Sequence, residues 1–177
     1  MRMLEHALLV ALREEEASGL ELARRFDRSI GYFWHATHQQ IYRVLARMER
    51  AGWARVTEVA QTGRPDKKVY AVTPAGEAVL ADWLAAPTPM EPLRSELAVK
   101  LRGASYGDRA RVLDGVRATL AEHRLRLAHY EQLARRDHPH PETLTGAELD
   151  QHLVLRGGIR LERFWVEWLT EYLEAHA

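Results

Sequence analysis

The sequence predicts a mainly α-helical protein with one small β-hairpin, built in two parts. Three observations predict it. Apolar residues recur at steps of three and four along most of the chain. Two short runs rich in β-branched and aromatic residues, 53–59 and 67–72, interrupt that pattern. A proline-rich stretch, Ala86-Pro-Thr-Pro-Met-Glu-Pro92, separates the interrupted half from an almost wholly helical one. The parts are therefore expected at 1–86 and 90–177.

Leu4, Leu8, Ala11 and Leu12 share one side of a first helix that runs out near Glu14-Glu15-Glu16. Ser18-Gly-Leu-Glu21 has the form of a capping box, a hydroxyl at the cap and a carboxylate three residues on. The helix it opens is expected to reach about Phe26 with Leu20, Ala23 and Phe26 inward. Arg24, Arg25 and Arg28 lie at or beyond its exposed end. Thr37-His-Gln-Gln40 is a second box. Behind it Ile41, Val44, Leu45 and Met48 form one stripe, while Gln39, Gln40, Arg43, Arg47 and Arg50 fall on the other side. Gly52 stops this helix, since a left-handed C-terminal position favours glycine. The two β-type runs are joined by Ala-Gln-Thr-Gly-Arg-Pro-Asp, which makes them a hairpin. Thr73 and Pro74 then supply a cap and a first helical residue, and Leu80, Trp83 and Leu84 give that helix an apolar side.

Beyond the prolines, 93–102 reads as a short amphipathic helix and 108–137 as one about 45 Å long. Along the long one Leu113, Val116, Leu120, His123, Leu127, Tyr130 and Ala134 form a heptad seam with one polar member. His138-Pro-His-Pro141 breaks it, and Thr145-Gly-Ala-Glu148 offers a third capping box. The last helix carries Leu161, Phe164, Trp165, Trp168, Leu169 and Tyr172, a stripe too wide for one neighbour, so part of it is expected at a subunit interface. Dimerisation is expected through Leu113, Val116, Leu120, Leu127, Leu161, Trp165, Trp168 and Tyr172. Gly157-Gly158 inside this helix costs about 1 kcal/mol per glycine relative to alanine, which close packing or a kink would justify.

Composition narrows the function classes. The 177 residues contain no cysteine, so disulfides, thiol catalysis and thiolate metal sites are excluded. No apolar run approaches the roughly 20 residues a bilayer requires, and the first residues lack the apolar core of a signal peptide. The cytoplasm is the expected compartment. Lys and Arg balance Asp and Glu at 25 each, yet the balance is local. Between Arg24 and Lys68 ten basic residues face four acidic ones, whereas the first 23 residues hold two basic and five acidic. Local field decides whether a face attracts phosphate.

Two helices, a third with outward Gln and Arg, and a basic hairpin together have the sequence form of a winged helix-turn-helix. Gln pairs bidentately with adenine and Arg with guanine in the major groove of DNA. Gln39, Gln40 and Arg43 stand in the first two turns, which reach bases in such helices, and Thr37 and His38 belong to the same expected DNA-binding surface. Tyr42 and Arg47 are better placed for phosphate, and Arg64, Lys67 and Lys68 in the hairpin would lie along sugar-phosphate or in the minor groove. The histidines argue for no metal: His138 and His140 flank prolines, and His123 sits where a polar residue sets register. No catalytic constellation and no cofactor loop emerges, so an enzyme is not expected.

Gln40-Ile-Tyr-Arg-Val-Leu-Ala-Arg-Met-Glu, then Trp53-Ala-Arg-Val and Tyr70-Ala-Val-Thr-Pro-Ala-Gly, resemble the PadR transcriptional regulators. The likeness covers about 4–84, and Pro92-Leu-Arg-Ser-Glu-Leu-Ala-Val-Lys-Leu101 resembles the start of the family's helical dimerisation part. The resemblance implies a homodimeric, repressor-like regulator binding double-stranded DNA, with Tyr42 and the tip at 64–68 on the backbone. It also implies release by a small molecule, for which a small aromatic effector is the candidate. His38-Gln39 departs from the small residues or Pro-Gly of many relatives. The rival expectation is a dimeric small-molecule-binding or protein-interaction module.

Overall fold

The computed structural model describes residues 3–28, 36–60, 63, 66–90 and 94–177. The chain divides into two compact units, Met1–Met90 and Glu91–Ala177.

The N-terminal unit contains α1 (Met3–Glu14), β1 (Ala17–Ser18), α2 (Gly19–Arg28), α3 (His38–Arg50), β2 (Ala54–Val59), β3 (Lys67–Val72) and α4 (Pro74–Ala85). The sheet is antiparallel with β3 in the middle, Tyr70 facing Ala17 on one side and Val56 on the other. β1 has no counterpart in the sequence reading. Two residues show no periodicity, and the strand exists because β3 offers its free edge to the segment that caps α2. The core is continuous across the helices and the sheet, with Leu8, Leu9, Leu22, Phe26, Ile41, Leu45 and Met48 essentially inaccessible.

Two local expectations are corrected here. Leu20 is 44% exposed, and Leu22 is buried in its place. The cap geometry turns α2 so that positions 22, 23 and 26 face inward. On α4, Leu80 is buried, but Leu84 is exposed, and Trp83 lies flat on the His6 ring of α1 with centroids 4.5 Å apart. Gly52 follows α3 at φ +73°, the left-handed position expected of it.

The C-terminal unit contains α5 (Glu96–Arg102), capped by Ser95, a 3-10 turn at Ala104–Tyr106, α6 (Arg109–Asp137), a second 3-10 turn at Pro141–Thr143 and α7 (Gly146–Glu174). α6 and α7 form an antiparallel hairpin in which Val116 and Leu120 pack against Leu169, with Leu101 of α5 beside them. The Tyr172 hydroxyl donates to the Leu101 carbonyl at 3.1 Å, tying α7 to α5. Along the expected seam Val116, Leu120 and Tyr130 are buried, Leu113 and Leu127 are half-buried, and Leu133 is buried rather than its neighbour Ala134. The third capping box is not formed: Thr145 occupies the cap of α7 without a side-chain hydrogen bond. α7 runs unbroken through Gly157-Gly158. Among the described residues no helix is long and apolar enough to cross a membrane.

Candidate nucleic-acid interface

α3 is fixed before it can present anything. Thr37 Oγ1 accepts from the Gln40 amide at 3.3 Å, and Gln40 Oε1 accepts from the Thr37 amide at 2.9 Å. The box supplies two of the helix's orphan donors with partners, a contribution of about 1 kcal/mol. It also engages the Gln40 carbonyl oxygen, half of what a bidentate adenine contact needs. The buried stripe Ile41, Val44, Leu45 and Met48 sets the rotation of the helix. Thr37, His38, Gln39, Tyr42 and Arg43 are therefore held outward. Gln39 and Arg43 make no hydrogen bond or ion pair among the described residues.

Arg47 is differently placed. Its Nε donates to Glu5 Oε1 of α1 at 2.5 Å, and the Glu5 side chain is only 9% exposed. A buried carboxylate without a cation is strongly unfavourable. Arg47 thus anchors α3 to α1. Tyr42 lies over α2: a Cβ on Gly19 would stand 2.2 Å from Tyr42 Cε1, so only glycine lets the ring take this position.

In the wing, Lys67 Nζ donates to Glu21 Oε1 at 2.7 Å, while Glu21 Oε2 accepts from the Ser18 amide and hydroxyl at 2.9 and 2.8 Å. Lys67's hydrogen bond first, then those of Ser18, hold the Glu21 carboxyl down at about 2. Lys68 stands 3.7 Å from Glu58, both exposed. Arg64 lies outside the described residues. Gly19, Arg24, Tyr42, Lys67, Lys68 and Tyr70 border an open cleft of about 500 Å³ between α2, α3 and β3. Burial pushes the Tyr70 phenol up, with Glu49 and Tyr42 adding to it.

The charge asymmetry of the sequence closes on itself. Glu5, Glu15, Glu16 and Glu21 from the acidic start pair with Arg47, Arg25, Arg55 and Lys67 from the basic segment. Among the described residues of the basic segment, Arg24, Arg43 and Arg50 have no carboxylate partner, Arg50 donating instead to the Ala46 carbonyl, and Lys68 is only loosely held. Among the expected interface residues, the structure thus gathers Thr37, His38, Gln39, Tyr42, Arg43 and Lys68 on accessible surface and assigns Gln40, Arg47 and Lys67 internal partners. Glu5 and Glu21 escaped the sequence reading as parts of this surface. Only Glu21 carried a local signal, its place in the capping box.

The C-terminal unit has its own polar centre. Glu162, 5% exposed, takes His123 Nδ1 at 2.6 Å and Arg126 at 3.2 Å. The His123 ring stacks on Trp165, and Trp165, Phe164 and Trp168 form a cluster with centroids 5.4 to 5.9 Å apart. Of the residues expected at a dimer interface, Val116 and Leu120 are enclosed within their own hairpin. Leu161 is 53% exposed, and Leu113, Leu127, Trp165, Trp168 and Tyr172 are half-buried.

Two family models match. Residues 8–82 fit the transcriptional regulator PadR-like family, and residues 93–177 fit the virulence activator alpha C-terminal family. The chain is 53% identical to "Probable transcriptional regulator Rv1176c" of Mycobacterium tuberculosis, over 97% of this chain and 96% of the relative. It is 29% identical to the negative transcriptional regulator PadR of Bacillus subtilis, over 98% of this chain and 97% of the relative. The crystal structure of that PadR with operator DNA superposes with a TM-score of 0.87 at 27% identity, covering 97% of this chain and 98% of the other. Its complex with p-coumaric acid gives 0.79 at 28% identity, covering 97% of each. A winged helix carrying an outward Gln and Arg face, followed by a helical unit, in a chain over half identical to such a regulator along nearly its whole length, belongs to the PadR-like family of transcriptional regulators.

Proposed function

We propose that this regulator binds DNA sequence-specifically as a homodimeric repressor and reads a pseudo-palindromic operator. One observation carries the reading: α3 is locked by its cap, its core stripe and the Arg47–Glu5 pair, yet holds Gln39 and Arg43 outward without partners. A rigid helix with unsatisfied bidentate groups in its first turns is what major-groove recognition requires. In this reading residues 1–86 are the DNA-binding part, and Gln39 and Arg43 meet base edges. Thr37, His38, Tyr42, Lys68 and Arg64 lie along the backbone, while Gln40, Arg47 and Lys67 act through the partners that hold them. The operator complex of the Bacillus subtilis relative supports the binding mode, and that relative's role as a negative regulator supports repression.

Residues 90–177 are proposed as the dimerisation part. On α7 the sequence Val154, Gly157, Leu161, Phe164, Trp168 repeats in steps of three and four. Val154, Leu161 and Phe164 are each about half exposed, and nothing lies within 4 Å of a Cβ built on Gly157. Among the described residues this is a half-exposed heptad seam of which only Trp168 packs against the core of its own hairpin, and a second α7 would cover the rest. The aromatic cluster borders this seam, so a flat aromatic effector, of the kind bound by the Bacillus subtilis relative, would act on the dimer there.

The test is fluorescence anisotropy with duplex DNA across a salt series. Several phosphate contacts give a steep fall of log affinity with log salt, about 0.9 per contact. A flat dependence, or no binding to any duplex, contradicts the reading. Arg43→Ala is expected to relax discrimination at one base pair by about 1–3 kcal/mol while leaving the melting temperature unchanged. An equal loss on every duplex would remove Arg43 from base reading.

A further inference from the structure

Building on the DNA-binding reading, we propose that Glu21 is an internal competitor for DNA phosphate: it holds Lys67 at the root of the wing and thereby limits the protein's affinity for duplexes. Lys67 is the first residue of β3 and opens onto the cleft shared with Arg24, Tyr42 and Lys68. Its ammonium is already engaged by a carboxylate at 2.7 Å. That carboxylate is gripped from behind by the amide and hydroxyl of Ser18, so it cannot swing away when a phosphate approaches. It also stands in the first turn of α2, where backbone N–H groups and the helix dipole favour an anion. Glu21 therefore occupies the place a backbone phosphate would take.

The charge of the cleft makes the competition matter. Three cations, Arg24, Lys67 and Lys68, face two carboxylates, Glu21 and Asp66. A phosphate that recruits Lys67 must break a charge-assisted hydrogen bond and then sit beside a fixed anion. Removing Glu21 doubles the net positive charge there and frees one more donor. Lys67 is nevertheless 31% exposed at its side chain, so DNA can reach it once released.

Glu21→Gln is the experiment, because glutamine can still accept from Ser18 in the capping box. Anisotropy of the full chain on a fixed duplex is expected to show affinity rising about three- to tenfold near 0.1 M salt. The log–log salt slope is expected to steepen by about 0.9, the release of one further counterion. In a Lys67→Gln background the same Glu21→Gln change is expected to gain less than about twofold, because the two effects act through one pair. Weaker or unchanged binding by a Glu21→Gln protein that melts normally overturns the proposal. So does an equal gain in both backgrounds, which would mark a general charge effect. If Glu21→Gln alone does not fold, Glu21→Asp, whose shorter side chain withdraws from Lys67, is expected to raise affinity in the same direction, and a fall overturns the proposal. Failure of the wild-type chain to bind any duplex contradicts the DNA-binding reading itself and is separate from all these outcomes.

Discussion

The two units of this chain are almost equal in length and differ in whether they complete themselves. Among the described residues, the N-terminal unit joins sixteen buried hydrophobic residues from helices and sheet into one core, whereas the largest cluster of the C-terminal unit joins four. Helices in the first pack on more than one side. In the second, two 29-residue helices cover one face of each other, with the short α5 beside them. A hairpin of this kind lacks the second layer that closes a domain. Both units leave some large apolar side chains in water, but their arrangement differs. In the N-terminal unit Met3, Leu20, Tyr42, Val59 and Leu84 come from five elements; in the C-terminal unit Val99, Tyr106 and Leu125 are scattered likewise, but Val154, Leu161 and Phe164 of α7 share one stripe. Scattered exposure is ordinary; an aligned stripe calls for a partner. In the proposed reading, the recognition surface is carried by a self-sufficient unit and its pairing by a dependent one.

The largest expected effect tests self-sufficiency. Phe26 is 1% exposed, and Phe26→Ala should lower unfolding free energy by about 3–5 kcal/mol. In chemical denaturation that loss should be the same at every protein concentration. A concentration-dependent loss would mean that the N-terminal core also relies on a second chain. Arg47→Ala comes next: it strands Glu5, and the expected loss is about 3 kcal/mol, the low end for a buried pair because Arg47 keeps a third of its surface in water. A surface phosphate ligand would leave stability unchanged, so a normal melting curve would return Arg47 to the DNA contacts.

The dependence of the C-terminal unit is tested by Phe164→Asp. A charge in the middle of the seam should weaken the dimer by about 2 kcal/mol or more, visible as monomer in sedimentation, with the first unit still folded. An unchanged dimer would place the interface elsewhere.

The smallest effect separates the units by pH. Glu21 ordinarily titrates near 4.5 and is held at about 2 when folded, first by Lys67 and then by Ser18. Its folded value lies below its unfolded one, so its contribution is complete above about pH 4.5 and lost as pH falls toward 2. Because the side chain is 42% exposed, that contribution is about 1 kcal/mol after screening. His152 of α7 is also pushed down, by burial first and then by His138 and Arg156, and its Nδ1 is buried without a hydrogen-bond partner. Folding there favours the neutral ring, so its contribution is complete above pH 6.5 and declines as pH falls below it. The C-terminal unit should therefore begin to lose stability at a higher pH than the Glu21 pair does. His152→Leu should remove the upper part of that loss; a pH profile unchanged by the substitution would contradict it.

The difference between the units also explains what the sequence made legible. Helix boundaries set by a cap or a stop were readable, because Thr37, Gly52, Thr73 and Pro74 act on neighbours in the chain. The stripe of α3 was readable for the same reason, four buried residues at steps of three and four. Partners distant in sequence were not. Nothing near Arg47 indicates Glu5, 42 residues away, and nothing near His123 indicates Glu162, 39 residues away. The basic segment read as an open patch because its acidic partners lie in α1, the turn after it and the first turn of α2. β1 escaped as well, being two residues recruited by the edge of β3. Leu20 and Leu22 show how finely rotation matters, since a shift of two positions exchanges a core residue for an exposed one.

The most direct measurement is selection of random duplexes by the 177-residue chain, followed by sequencing of what is retained. Two inverted half-sites about 10 base pairs apart, or a multiple of that, are expected, with enrichment at the positions facing Gln39 and Arg43. Recovery of unenriched DNA, or of a single site without symmetry, would contradict a dimer that reads an operator through α3.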